Sequence, residues 1–156
     1  MFAKALNLIK LTPRTSPPLM SHEDAIACSA IEPGIVPLVK ALNVPGLCQT
    51  ISSCEGHGRP GGFLLPGSMK DRPFVFFRAD TSFARGIARS IYAELGADTL
   101  LNYVWRIKGQ FYPESAELVW MLELEDYRIP EQWNRARIND DLIELAFLVS
   151  RLIERS

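Results

Sequence analysis

The chain has 156 residues, of which 47% are hydrophobic and 22% charged, and its net charge is −1. That length makes one domain the default, and that composition argues against wholesale disorder. No apolar run reaches the roughly 18 residues that a membrane span requires, so no membrane partner is expected.

Met1 to Leu11 sets Lys4 and Lys10 among apolar residues, but Asn7 and Lys10 interrupt the stretch too soon for a secretory signal. The three cysteines, Cys28, Cys48 and Cys54, are too few and odd in number for a disulfide framework. Reduced thiols and a cytoplasmic location are the expectation. Residues 12–20 are rich in Pro, Ser and Thr, so residues 1–20 read as an extended or disordered arm, and residues 21–156 as a single domain.

Ser21-His22-Glu23-Asp24 resembles a helix start, with Ser21 as cap and acids in the first turn. A place at that start is favoured for His22 over a ligand role. Residues 33–43 predict a short helix, because Ile35, Leu38, Val39 and Leu42 share one face and Pro37 lies near its first turn. Asn43 and Pro45-Gly46 end it. Leu47 to Ser53 predicts the first strand, and the glycine-rich stretch from Glu55 to Lys70 a loop.

Pro73 to Ala79 predicts a second, central strand, apolar on both faces. Asp80 then caps a helix running to about Leu95, with Phe83, Ile87, Ile91 and Leu95 repeating every four residues. Leu101, Tyr103, Trp105 and Ile107 alternate as a third strand. Residues 108–115 connect it to a fourth, antiparallel strand marked by Leu118, Trp120, Leu122 and Leu124. The chain returns to helix from Glu131, with Asn139-Asp140-Asp141 as a cap region and an apolar stripe from Leu142 to Ile153.

This order predicts an α+β fold: a mixed, largely antiparallel four-stranded sheet with helices packed mainly on one face. Phe74, Phe76, Phe77, Trp105 and Trp120 are read as core, with a base-stacking platform as the sharper alternative.

Charge is unevenly spread. Residues 58–113 carry eight Lys/Arg against four Asp/Glu, whereas residues 114–156 carry five against ten. The basic middle could contact phosphates, which makes RNA the candidate macromolecular partner.

The densest cluster of chemically capable side chains is Ser52-Ser53-Cys54-Glu55-Gly56-His57-Gly58, where the first strand meets the loop. Several chemistries fit it. Cys54 and His57 form a C-x-x-H pair able to chelate zinc. Cys48, with the same strand parity as Cys54, and His22 or Cys28 would complete the set. Cys54 with His57 as base would make a nucleophilic pair. Ser52, Ser53, the glycine amides and Arg59 would hold a phosphate or carboxylate. A loop with a satisfied histidine and no ligand is the plain structural account.

The helix Ile35-Val36-Pro37-Leu38-Val39-Lys40-Ala41-Leu42-Asn43, followed by Thr50-Ile51-Ser52-Ser53-Cys54-Glu55-Gly56, resembles the tRNA wybutosine-synthesis methyltransferase family. In that family a helix ending in Asn precedes a strand reading T-x-S-S-C-S-G-R. Residues 73–79 and 83–96 look similar to its later strand and helix, so the likeness spans about residues 33–97. Glu55 stands where the family has Ser, and His57 where it has Arg.

The resemblance implies a related fold and methyl transfer from S-adenosylmethionine to an RNA base. Ser52, Ser53, Cys54, Gly56 and Gly58 would lie at the cofactor pocket, and Glu55 or His57 would take the acceptor's proton. Two alternatives stand beside it. One is a non-enzymatic interaction protein using the acidic C-terminal helix with Arg151 and Arg155; the other is a Cys/His zinc domain.

Overall fold

The computed structural model describes residues 21–27, 29–57, 72–95, 100–113, 115–126 and 133–155. The arm expected over residues 1–20, together with Cys28, Gly58 and Arg59, falls outside the described residues.

Ser21 opens α1 (His22–Ala27): its hydroxyl accepts from the amide of Asp24 at 3.1 Å. The helix read over residues 33–43 divides into a single 3-10 turn, Pro33–Ile35, and α2 (Val36–Ala41), whose Leu38 and Val39 are buried. After the turn at Pro45-Gly46 come β1 (Cys48–Cys54) and β2 (Phe74–Ala79), paired antiparallel. Asp80 caps α3 (Thr81–Leu95), its carboxylate accepting from the amide of Phe83 at 2.9 Å. β3 (Trp105–Phe111), β4 (Leu118–Leu124) and α4 (Arg135–Glu154) follow.

The sheet order is β1-β2-β4-β3, and every neighbouring pair is antiparallel. β2 and β3 both run opposite to β4, which lies between them. They are therefore parallel to each other, and α3 makes the crossover that parallel strands need. The α+β sheet with helices on one face matches the sequence reading.

Two boundaries differ from expectation, for one physical reason. The third strand starts at Trp105, because the amides of Asn102 and Tyr103 donate to the carboxylate of Asp141, at 2.7 and 3.0 Å, and that of Val104 to Asp126 at 3.1 Å. Those donors are spent before a ladder can form. Asp141 is accordingly a fully buried acceptor inside α4 and not part of a cap. Asn134 is the cap, its side chain accepting from the amide of Arg137.

The aromatics divide between the two faces of the sheet. Phe77 and Trp105 are buried, and Trp120 packs against the core they share with Leu122, Leu142 and Leu145. Phe74 and Phe76 correct the all-core reading. β2 alternates, so both turn to the opposite face, where they are half-buried and meet edge to face at 5.3 Å, with Tyr112 5.8 Å from Phe76. The basic residues of that region have local partners: Arg78 with Glu117, Arg106 with Glu125, and Lys108 with Glu123 and Glu125.

Candidate metal centre at the end of β1

A register shift in β1 sets the geometry of the site. Thr50 pairs with Phe77 but Ser52 with Phe76, so Ile51 is an extra residue, a bulge. Before it, Cys48 and Thr50 share the face of Ala79 and Phe77. After it, Ser53 lies opposite Val75, while Ser52 and Cys54 lie opposite Phe76 and Phe74. Cys48 and Cys54 therefore point to opposite faces, although their sequence parity is the same. Cys48 belongs to the buried core and is not available to a site built on Cys54.

The donors that do reach Cys54 come from its own turn and from the segment before α2. One atom each from Glu32, Cys54 and His57 lie within 4.8 Å of one another. His57 Nε2 meets Glu32 Oε1 at 2.5 Å, and the other oxygen of Glu32 accepts from the amide of Glu55 at 2.7 Å. The amide of Gly56 donates to the Cys54 sulfur at 3.4 Å. Gly56 has φ +80°, a left-handed conformation cheap only for glycine, and it lets the chain turn so that His57 follows Cys54. The His57 side chain is 59% exposed, so the donors are open to solvent on one side.

Burial pushes the Cys54 thiol above its ordinary range; the Gly56 amide works against this, and the carboxylates of Glu32 and Glu55 add to it.

The turn is held from behind. Arg135, the first residue of α4, donates to the carbonyls of Glu55 and Gly56 at 2.6 and 2.7 Å, and its guanidinium lies 3.2 Å from Glu55 Oε1. Glu55 Oε2 accepts from the amide of Gly34 at 2.6 Å. Both carboxylate oxygens of Glu55 are thus engaged in joining the 3-10 turn to α4, which makes Glu55 a positioning group.

Of the residues singled out in the sequence, Cys54, Glu55, Gly56 and His57 come together here. Ser52 and Ser53 separate from them and line a groove of about 420 Å³ beneath α1, shared with Ser21, His22, Asn43 and Thr50. Glu32, Gly34 and Arg135 were not legible as site residues. Glu32 and Gly34 are some twenty residues upstream and Arg135 about eighty downstream, and no motif spacing ties any of them to Cys54.

No family model, no curated protein and no solved structure matches the chain.

Proposed function

We propose that this protein is a metal-binding domain in which Glu32, Cys54 and His57 hold a divalent ion of the zinc class. The observation that carries the reading is the convergence of a carboxylate, a thiol and an imidazole within 4.8 Å. Thiolate and imidazole together suit zinc better than magnesium or calcium, which take oxygen. The Gly56 amide beside the sulfur is the kind of outer hydrogen bond that orients a metal ligand.

Three protein donors would leave a zinc ion one ligand short of four, the donor count of catalytic rather than structural zinc. A zinc ion held there would supply Lewis acidity and would lower the pKa of a water bound to it. The chain's own part is to fix the three donors and to keep the side of His57 open. His57 Nε2 and Glu32 Oε1, which here meet each other, would both be ligand atoms when an ion is held.

The test is metal analysis of protein purified without chelators, together with cobalt titration. About one equivalent of zinc, and a thiolate-to-cobalt absorption band lost in Cys54→Ser, are expected. Less than about 0.2 metal per chain with no cobalt band would exclude the centre, since the titration also tests a site that lost its metal in purification.

A second reading rests on a separate observation, the groove beside Ser52 and Ser53. It fits the methyltransferase resemblance, with S-adenosylmethionine as the small molecule held there and an RNA base as acceptor. Its volume, about 420 Å³, lies in the range of small-molecule sites. It borders the two serines but not Cys54, Gly56 or His57, so only part of the implied cofactor set lies on it. Calorimetry with S-adenosylmethionine decides this reading, and absence of heat at about millimolar ligand removes it.

A further inference from the structure

We propose that a second cavity, remote from the metal donors, binds a small organic oxyanion: a carboxylate or phosphate head on an apolar body, anchored by Arg78. The cavity lies where β1 begins and β2 ends. It measures about 620 Å³, within the range of small-molecule sites, and none of Glu32, Cys54 and His57 lines it.

Arg78 is its chemical centre. The guanidinium Nε donates to Glu117 Oε2 at 2.8 Å, and the side chain is 31% exposed. That bond fixes the plane of the guanidinium and uses only one of its edges. The terminal amino groups make no further hydrogen bond to the described residues. A guanidinium held by one edge presents the other as a two-pronged donor, and that shape matches a carboxylate or a phosphate.

The surrounding wall defines the rest of the ligand. His22, in the first turn of α1, lines the cavity and supplies a second polar group. Val44, Leu47 and Leu118 supply apolar surface, and Leu118, 50% exposed, is open to a ligand from the solvent side. Fixed donors beside an open apolar wall suit an amphiphile with an anionic end. Glu117 argues against a dianion lying deep in the cavity but not against a head group on the far edge of Arg78, since its own charge is turned to Nε.

The probes are hexanoate, hexyl phosphate and hexylamine, each titrated into the full chain and followed by amide chemical shifts. Hexanoate or hexyl phosphate is expected to bind saturably and to shift Gly46, Leu47 and Leu118; the tighter of the two identifies the head group. Arg78→Ala should weaken binding about tenfold or more, as loss of a charge-assisted pair does. Arg78→Lys, which keeps the charge without the fork, should restore only part. If Arg78→Ala does not fold, Leu118→Ala must weaken binding of the six-carbon anions while leaving acetate unchanged. Three results would overturn the site: no saturable binding of either anion at about 10 mM, the weak end for ligands of this size; affinity unchanged in both Arg78→Ala and Leu118→Ala; or hexylamine binding as tightly as the anions.

Discussion

The indole N–H of Trp105 donates to Oδ2 of Asp141 at 2.8 Å, and both residues are buried. Oδ2 also accepts from the amide of Tyr103, and Oδ1 accepts from the amide and side chain of Asn102 at 2.7 and 2.9 Å. One carboxylate thus joins the start of β3 to the middle of α4. Asp141→Ala would remove the acceptor that these four donors share and leave the two buried ones, the Trp105 indole and the Tyr103 amide, without it, at an expected cost of about 2–5 kcal/mol. Asp141→Asn should recover little, because its amide NH₂ would face two of those donors. Urea denaturation measures both.

Burial pushes the Asp141 carboxyl above its usual 3.8. Folding then takes up a proton between that value and the higher folded one. The associated stabilisation is present below pH 3.8 and is lost as pH rises through the folded pKa. The stability gap between wild type and Asp141→Asn should therefore narrow with rising pH across this window. A gap that widens would contradict it.

The same residue shows what a sequence can and cannot disclose. Local signals located the helices and strands among the described residues: a cap for α1, a preceding turn for β1 and apolar spacing for most of the others, all of them properties of neighbouring residues. Apolar spacing placed the start of β3 too early, because Leu101 and Tyr103 are buried as alternation requires while their neighbourhood bonds to a carboxylate forty residues away. Parity placed Cys48 and Cys54 on one face, because a bulge at Ile51 leaves no signature in composition. Half of the candidate site was readable as the run from Cys54 to His57. Glu32 and Arg135 were not, since only the closed fold brings them to that turn.

Asp80 has the opposite electrostatic sign. Its carboxylate accepts from Ser82 Oγ at 2.6 Å and from the amide of Phe83 at 2.9 Å, which together hold it below the usual 3.8. A depressed folded pKa contributes stability above the unfolded value and loses it as pH falls through the folded one. Asp80→Ala should lower the melting temperature at neutral pH, and Asp80→Asn, also a good cap, should lower it less. The advantage of Asp80 over Asp80→Asn should shrink as the solution is acidified below pH 3.8. A difference constant with pH would show that the charge contributes nothing to the cap.

The two described thiols should react very differently. Cys48 is 8% exposed within the core, whereas Cys54 is half-buried beside the exposed imidazole of His57. Burial raises both thiols, so both are slow at neutral pH, but only Cys54 can be reached without unfolding. Peptide mapping after iodoacetamide should find Cys54 modified first and Cys48 only as the protein unfolds. Added zinc should protect Cys54 and leave the rate at Cys48 unchanged. Labelling of Cys54 that is indifferent to zinc would count against its role as a ligand.

Arg135 and Gly34 both act on the site through Glu55, and Arg135 acts also through the carbonyl of Gly56. A Cβ on Gly34 would lie 2.6 Å from Glu55 Oε2 and 2.9 Å from an Arg135 nitrogen, so Gly34→Ala must push the carboxylate out of its seat. Both atoms are the ends of flexible side chains that can move aside, so the expected cost is that of the lost Gly34–Glu55 hydrogen bond, about 0.5–1.5 kcal/mol. Arg135→Ala removes the grip on the carbonyls of Glu55 and Gly56 and should cost about 1–2 kcal/mol, reduced by the 41% exposure of its side chain. Because both share the carboxylate of Glu55, the double variant should be less destabilised than the sum of the two. Each should also weaken zinc binding about tenfold, as loss of an outer support does, while Cys54→Ser removes a ligand and weakens it further. The pattern separates a positioned centre from a fortuitous cluster. If Arg135→Ala loosens the fold but leaves zinc affinity untouched, the turn holds its donors without help from α4.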